Sequence, residues 1–249
     1  RMNKGKHHAR SSSPRSMAEV DRLKENAGIA ACAFIEDGMA IGLGTGSTVR
    51  YSIIEVARMS KNEGIEVIGV PTSEDTRRLA DSLGLPLMTI DQADTLDLTI
   101  DGADEFDPSF NLIKGGGGAL TREKIVALSS NSMVVVADET KQVETLGAFD
   151  LPVEVDRNYW ETAKESISSI CPGQVSLRGG SENPYFTDND GFILDCSFGP
   201  SISDPKTLEH KIGSIAGIVE VGLFVGICDA VVMASQEGVS TLINPNGRL

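Results

Sequence analysis

Short apolar runs alternate with amphipathic stretches along the chain as far as residue 138. Between the runs, apolar residues recur every three or four positions, as at Val49, Ile53 and Val56, which is the period of a helix that buries one face. This order predicts an α/β fold whose mostly parallel sheet is covered by helices on both faces, as in Rossmann-like proteins. The runs expected to form strands are 39–43, 66–70, 85–90, 96–100 and 133–137.

The pattern changes from Leu151 onward, where strand-like and helical segments follow one another in the order β-α-β-β-α-β. This is the order of a split, ferredoxin-like α+β unit. Two further strand-like runs, at 229–234 and 239–243, would return the chain to the first sheet. The segments are strands at 152–155, 174–178 and 219–224, helices at 158–170 and 205–212, and a hairpin at 185–198.

We therefore expect two domains after a short leader. Residues 1–16 are basic, rich in Ser and include two consecutive histidines, so we interpret them as a disordered leader or tag, with an organellar transit peptide as the alternative. Residues 17–150 together with 226–249 are expected to form an α/β catalytic domain. Residues 151–225 are expected to form the smaller ferredoxin-like domain.

Composition narrows the classes of partner. The 249 residues carry a net charge of −14, which argues against a nucleic-acid surface, because phosphate neutralisation needs clustered Lys and Arg. No apolar run approaches the roughly 20 residues of a membrane span. The four cysteines are scattered, which favours reduced thiols and a cytoplasmic protein. Only His210 lies outside the leader, so chemistry that rests on a histidine base is not indicated.

A glycine-rich turn follows the first predicted strand. It reads Gly42-Leu43-Gly44-Thr45-Gly46-Ser47-Thr48 and leads into the helix that starts at Val49. Glycines allow close approach of the backbone to a ligand, and hydroxyls and N–H groups at a helix N-terminus complement a phosphate. A plain tight turn is the alternative, but the order of strand, glycines, hydroxyls and helix favours an anion site. It is neither a Walker motif nor a dinucleotide fingerprint.

The richest stretch for chemistry is 101–124. Four carboxylates, at Asp101, Asp104, Glu105 and Asp107, would repel one another unless a cation, a substrate or Lys114 offsets them. The spacing does not match a calcium loop, and no histidine completes a transition-metal site, so no metal is expected.

Lys114 is followed by four consecutive glycines. A flexible surface loop is the alternative there, but each glycine costs roughly 0.5–1 kcal/mol in an ordered conformation, which favours a need for close approach. A helix with Glu123 in its first turn comes next, at 119–130. Acids, an ammonium and exposed N–H groups would then meet at one edge of the sheet, as proton transfer on a small anionic substrate requires.

These motifs resemble, in order and spacing, those of the ribose-5-phosphate isomerase type A family. The resemblance covers essentially all of 17–243. One departure is Gly118, where members of the family often have Ala, and which bears on the stiffness of the loop. The matching motifs are Gly42-Leu43-Gly44-Thr45-Gly46-Ser47-Thr48, Asp101-Gly102-Ala103-Asp104-Glu105, Lys114-Gly115-Gly116-Gly117 and Leu120-Thr121-Arg122-Glu123-Lys124.

The resemblance implies interconversion of ribose 5-phosphate and ribulose 5-phosphate, without a cofactor, through a cis-enediolate. It gives Glu123 the role of the base that moves a proton between C2 and C1. Asp101 and Lys114 would assist ring opening and stabilise charge on the oxygens, with Asp104 beside them. The expected substrate contacts are Gly44, Thr45, Gly46, Ser47, Thr48, Gly115, Gly116, Gly117, Lys124 and Lys141.

The resemblance also implies a homodimer or homotetramer that assembles through the smaller domain. There are two alternatives to the isomerase. An amino-sugar-phosphate isomerase-deaminase usually enlists a ring-opening histidine, and His210 lies in a helix of the second predicted domain. A sugar-phosphate sensor would carry a basic DNA-binding appendage, and 1–16 is too short to form one.

Overall fold

The structure is a computed structural model that describes residues 16–249. The predicted leader lies outside these residues except for Ser16, whose side chain accepts a hydrogen bond from the N–H of Glu19 and caps the first helix. The α-helices are α1 (Met17–Ala31), α2 (Val49–Glu63), α3 (Glu74–Ser82), α4 (Leu120–Leu128), α5 (Trp160–Ser168) and α6 (Pro205–Gly213). Short 3-10 helices occur at Cys32–Phe34, Ile90–Gln92 and Glu139–Lys141.

Thirteen strands are present in the described part of the chain. They are β1 (Ala40–Leu43), β2 (Ile68–Pro71), β3 (Leu98–Asp101), β4 (Glu105–Phe106), β5 (Leu112–Ile113), β6 (Met133–Asp138), β7 (Leu151–Val155), β8 (Val175–Leu177), β9 (Phe192–Cys196), β10 (Ile218–Val221), β11 (Leu223–Phe224), β12 (Ala230–Ser235) and β13 (Gly238–Ile243).

Six strands form the main sheet in the order β13-β12-β6-β3-β1-β2. All neighbours are parallel except β13, which pairs antiparallel with β12. β6 shows that both faces are covered, because Val134 and Val136 join the core formed with α2 and α3, whereas Met133 and Val135 join a second core with α4 and β11. The predicted mostly parallel, doubly covered sheet is confirmed.

The second half contains a four-stranded antiparallel sheet in the order β10-β7-β9-β8. Along the chain its elements run β7, α5, β8, β9, α6, β10, so the ferredoxin-like arrangement is also confirmed. A third sheet, β11-β5-β4, joins the two halves, because β11 pairs antiparallel with β5. The domain boundaries at 150/151 and 225/226 stay a prediction.

Two local expectations are wrong. Residues 85–90 form no strand; a single bridge joins Leu87 to Gly69, since Pro86 has no N–H to extend the ladder and a 3-10 helix begins at Ile90. The hairpin expected at 185–198 contributes only β9, whose hairpin partner is β8. The connecting loop contains two glycines with positive φ, at 179 and 180, and does not pair with β9 along its length.

Parallel strands bring chemistry to one edge of the main sheet. The carboxyl ends of β1, β3 and β6 lie side by side, and they deliver the glycine-rich turn, Asp101 and the 3-10 helix that ends at Lys141. Such an edge is where open α/β sheets bind their ligands. No helix among residues 16–249 is long and apolar enough to cross a bilayer.

A packing prediction concerns Gly42 in β1. A Cβ at this position would lie 2.3 Å from Thr99 Oγ1 and 2.5 Å from Val126 Cγ1, and both residues are buried. We expect Gly42→Ala to lower the free energy of unfolding by about 1–3 kcal/mol, as overpacked cores do. Urea denaturation measures the change.

The matched control is Gly213→Ala, at the last residue of α6, where an added Cβ meets nothing within 4 Å. This variant should be neutral or stabilising by up to about 1 kcal/mol, because Ala restricts the unfolded chain more than Gly does. Equal midpoints for the two variants would contradict the packing account.

Candidate active site

A cavity of about 260 Å³ opens at this edge of the main sheet. It is lined by residues 45–49 after β1, residues 102–104 after β3, residues 114–117 after β5, Glu123 of α4 and Lys141. Five separate pieces of chain therefore contribute to one small polar cleft. This volume lies just below the range of about 300–1,000 Å³ that is typical of pockets for drug-sized ligands, so the cavity suits a smaller molecule.

Three charged groups meet beside the cavity. Lys114 Nζ lies 3.3 Å from Asp101 Oδ1 and 3.2 Å from Glu123 Oε1, and it also donates to the carbonyl of Gly102. All three ionisable side chains are almost completely buried. Asp101 is the last residue of β3, Lys114 follows β5 and Glu123 stands in the first turn of α4, so three elements fix one cluster.

Burial and charge together set the ionisation of this cluster. Burial, followed by repulsion from Asp101, raises the pKa of Glu123 to about 8, and the attraction of Lys114 offsets this only in part. Burial likewise raises the pKa of Asp101, against the opposing effects of Lys114 and the N–H groups of Gly102 and Thr45. Both shifts favour the protonated form of the two buried carboxyls that face this ammonium.

The ammonium itself stays charged. Burial alone lowers the pKa of Lys114, but the combined attraction of Asp101, Glu123 and Asp104 outweighs it and the pKa is raised. A titratable base beside a fixed positive charge is the arrangement that proton abstraction next to a carbonyl requires.

Asp101 lies behind Lys114 and does not line the cavity. Its Oδ1 accepts hydrogen bonds from the N–H groups of Gly102 (2.7 Å) and Thr45 (3.1 Å), whereas its buried Oδ2 has no hydrogen-bond partner among the described residues. Gly44 makes room for it, because a Cβ there would lie 2.1 Å from Asp101 Oδ1. Gly44 is thus required for the cluster without touching the cavity.

The glycine loop is tightly held. A Cβ on Gly115 would lie 2.8 Å from Pro152, one on Gly116 would lie 2.5 Å from Asp104 Oδ1, and Gly115 and Gly118 have positive φ angles. Asp104 Oδ2 accepts a hydrogen bond of 2.8 Å from the N–H of Gly116. The run of glycines therefore reflects close approach on both sides of the loop, not a loose surface segment.

A second part of the cavity lining is suited to an anion. It is formed by the turn at 45–48, which leads into the 15-residue helix α2, and by Lys141. The Thr45 hydroxyl is used inside the protein, where it donates to Ser73 Oγ (2.7 Å) and lies 2.8 Å from Thr72 Oγ1. The Thr45 N–H donates to Asp101, so the N–H groups of residues 46–48 and the hydroxyls of Ser47 and Thr48 are left for a ligand at the positive end of the helix.

A family model described as Ribose 5-phosphate isomerase A (phosphoriboisomerase A) matches residues 68–238. The chain belongs to this family. A ribose-5-phosphate isomerase A of Cereibacter sphaeroides is 46% identical over 235 residues, which cover 92% of this chain and 94% of the relative.

Solved structures of ribose-5-phosphate isomerases agree with this assignment. One, in complex with phospho-erythronic acid, is 41% identical, with a TM-score of 0.86 over 90% of this chain and 99% of its own. The isomerase of Plasmodium falciparum is 35% identical, with a TM-score of 0.87 over the same shares.

Against the expectations for a ribose-5-phosphate isomerase A site, the structure brings most of the predicted residues to the cavity. Those that do not line it are Gly44, Asp101 and Lys124. Lys124 Nζ is buried on the other side of α4, where it donates to the carbonyl of Val221 (2.7 Å) and to Glu220 Oε2 (3.0 Å). Neighbouring helical residues point about 100° apart, so Lys124 faces the ferredoxin-like sheet, and we drop it from the phosphate contacts.

Sequence reasoning missed one cation. Lys24 in α1 donates a hydrogen bond of 3.0 Å from Nζ to Ser47 Oγ of the glycine-rich turn. Nothing in the sequence marked it, because an exposed Lys on an amphipathic helix is ordinary and 23 positions separate the two residues. Val49, Gly102 and Ala103 also line the cavity without having been predicted.

An aromatic ring and the absence of a metal-ligand cluster among residues 16–249 complete the description of this isomerase-family site. The ring of Phe224 lies 5.5 Å from Lys114 Nζ and 5.0 Å from Lys124 Nζ, measured to its centroid, so one aromatic ring contacts both ammonium groups. Among residues 16–249, no cluster of three or more His, Cys, Asp or Glu side chains is arranged to hold a metal ion.

The ionisation of Glu123 predicts a pH dependence of stability. Between its ordinary value of 4.5 and about 8, the folded chain keeps a proton that the unfolded chain has released, so the free energy of unfolding should fall as pH rises through this window. In Glu123→Gln this contribution is absent and the fall should be shallower. Urea denaturation across the window measures both slopes.

Glu161→Gln, at an exposed position of α5, serves as the control and should keep the slope of the parent chain. A parent slope that Glu123→Gln leaves unchanged would show that Glu123 is not the residue that keeps the proton.

Proposed function

We propose that this chain is an aldose–ketose isomerase that interconverts D-ribose 5-phosphate and D-ribulose 5-phosphate through a cis-enediolate, without a cofactor. The observation that carries the mechanism is the Lys114 ammonium, held between the carboxyls of Asp101 and Glu123 beside a cavity that is also lined by a turn suited to a phosphate. Membership of the isomerase family supplies the substrate class. The reaction belongs to the non-oxidative pentose phosphate pathway.

The phosphate would occupy the part of the cavity that is lined by residues 45–48. The N-terminus of α2 supplies N–H groups and a positive dipole, and Lys141 supplies a full charge. Lys24 stands behind Ser47, 3.0 Å from its hydroxyl, and adds a second ammonium to this part of the cavity. With a net charge of −14 on the whole chain, these local donors are what makes the cleft attractive to an anion.

The sugar would then extend its first two carbons toward Glu123 and Lys114. Glu123 in its ionised form takes the proton from C2, and the electron pair forms the enediolate double bond between C1 and C2. The same carboxyl returns the proton to C1, while the hydroxyl proton moves from O2 to O1. Lys114 lies where negative charge grows on these oxygens, and Asp104 lines the same wall.

Asp101 would act through Lys114. Its carboxylate contacts the ammonium but lies below the cavity surface, so it orients and stabilises the cation rather than reaching the sugar. General base catalysis supplies about 10²–10⁴ in rate and one oxyanion contact about 10²–10³, so both groups are needed for a competent enzyme.

The oligomeric state and the cellular location are also proposals. We retain the homodimer or homotetramer, formed through the smaller domain, and the cytoplasmic location from the sequence analysis. Size-exclusion chromatography with light scattering tests the first, and it does not depend on activity.

The direct test is an assay for ketopentose phosphate formed from ribose 5-phosphate by the purified chain, before and after treatment with chelator. The proposal expects turnover that chelator leaves unchanged. Binding without turnover would favour the sugar-phosphate sensor, and release of ammonia from an amino-sugar phosphate would favour the deaminase.

Glu123→Gln tests the base. The variant keeps the shape of the side chain but cannot accept the proton, so kcat should fall about 10²–10⁴-fold. Affinity for phospho-erythronic acid, measured by calorimetry, should stay within a few-fold. Glu161→Gln should match the parent enzyme, and a Glu123→Gln enzyme with most of its activity would remove Glu123 from this role.

Lys141→Met tests the phosphate site. Loss of one charge that holds the phosphate equally in substrate and transition state should raise KM about tenfold or more and leave kcat within a few-fold. Lys61→Met, in the last turn of α2 and exposed, is the matched control. A fall in kcat at unchanged KM would place Lys141 beside the reacting carbons instead.

A further inference from the structure

An arginine of the ferredoxin-like half binds the glycine loop of the active site, residues 115–118. Arg178, which follows β8, donates from Nη1 to the carbonyl oxygens of Gly115 (3.0 Å) and Gly116 (3.2 Å). It does not line the cavity, so it cannot touch the substrate there. Its contact with the loop is nevertheless direct and involves two successive peptide groups.

The guanidinium is itself fixed. Arg178 Nε and Nη2 donate to the two oxygens of Asp195, at 3.0 and 2.7 Å, in a fork that matches the plane of the carboxylate. Asp195 lies in β9 and pairs with Ser176 of β8, so the anchor is part of the sheet. Both side chains are mostly shielded from solvent, with exposed fractions of 19% and 25%. The ring of Tyr185, centred 5.7 Å from the guanidinium carbon, covers it further.

One peptide plane of the loop is held at both ends. The carbonyl of Gly115 and the N–H of Gly116 belong to the same planar group and point in opposite directions. Arg178 and the N–H of Gly118 both donate to the carbonyl at 3.0 Å, and Asp104 Oδ2 accepts from the N–H of Gly116 at 2.8 Å. Rotation of this plane would break a hydrogen bond on each side, although glycine by itself allows such rotation freely.

The peptide plane between Gly116 and Gly117 is held in a similar way. Arg178 holds the carbonyl of Gly116, which directs the N–H of Gly117 to the opposite side of that plane. Within residues 16–249 this N–H has no hydrogen-bond partner, and Gly117 lines the cavity. The orientation that Arg178 imposes therefore leaves a backbone donor available to an oxygen of the substrate.

We propose that Arg178, pinned by Asp195, is a positioning residue of the isomerase: it fixes the two peptide planes of residues 115–117 and so keeps Asp104, Lys114 and the Gly117 N–H in their working arrangement. This inference rests on the proposed function for its kinetic part. The alternative is that the arginine only joins the two halves of the molecule.

Kinetics of Arg178→Met separates these two roles. Misplacement of reacting groups by about 1 Å can cost 10²-fold, so we expect kcat to fall about 10–100-fold while KM for ribose 5-phosphate changes by a few-fold. Arg178→Lys should recover only part of the loss, because a single ammonium cannot bind the Asp195 carboxylate in a fork and hold two carbonyls as well.

Arg157→Met is the matched control. Arg157 forms an ion pair of 3.2 Å with Asp190 in the same half of the molecule, but it makes no contact with the glycine loop. Its loss should leave kcat and KM at the parent values. The double variant Arg178→Met with Asp195→Asn should be no slower than Arg178→Met alone, because Asp195 acts only through the arginine.

A second readout does not depend on turnover. Amide hydrogen exchange of the peptide that contains residues 114–120, followed by mass spectrometry without substrate, should be faster in Arg178→Met than in the parent chain and in Arg157→Met. If the parent chain has no isomerase activity, the proposed function fails while this measurement still reports whether Arg178 holds the loop.

Three results would overturn the proposal. They are an Arg178→Met enzyme with parental kcat, a loss confined to KM, and loop exchange that equals that of Arg157→Met. If Arg178→Met does not fold, the comparison of Arg178→Lys with the parent and Arg157→Met decides by the same criteria.

Discussion

The site depends on one buried ammonium between two buried carboxyls. Taking such charges out of water is costly, and the cost is recovered only when the partners lie at contact distance in a fixed geometry. Lys114 meets this condition because Asp101 ends a central strand and Glu123 lies in the first turn of a helix. The same burial makes the cluster reactive, because burial, followed by repulsion from Asp101, raises the pKa of Glu123 to about 8, close to neutral pH.

Residues next to Glu123 in the sequence attach its helix, α4, to three other elements. Thr121 donates to Glu154 of β7 (2.8 Å), Arg122 contacts Glu74 of α3 (3.3 Å), and Lys124 binds the carbonyl of Val221 in β10. Each partner belongs to a different element. The residues around Glu123 in the motif therefore hold the backbone of α4 in place. Lys124 contributes to these contacts and not to the phosphate site.

Much of the fold and of the site could be predicted, because strand and helix periods are local properties of the sequence. The edge at which Asp101 and the turn at 45–48 meet follows from parallel strands alone, whereas Lys114 comes from β5 of the antiparallel third sheet. What could not be predicted depends on side-chain direction or on distant contacts. The contact of Lys24 with Ser47 and the inward turn of Lys124 require the packed helices, and the strand expected at 85–90 is lost to Pro86 and the 3-10 helix that follows.

The ring of Phe224 has a consequence that reaches beyond its own packing. It packs against two ammonium groups, that of Lys114 in the charged cluster and that of Lys124, which holds α4 in place. An ordinary core position tolerates any apolar side chain of similar volume. This position must also present the electron-rich face of an aromatic ring to two cations. An aliphatic replacement of equal size would therefore weaken both the reactive cluster and the attachment of α4. A substitution at this position cannot change one of these without changing the other.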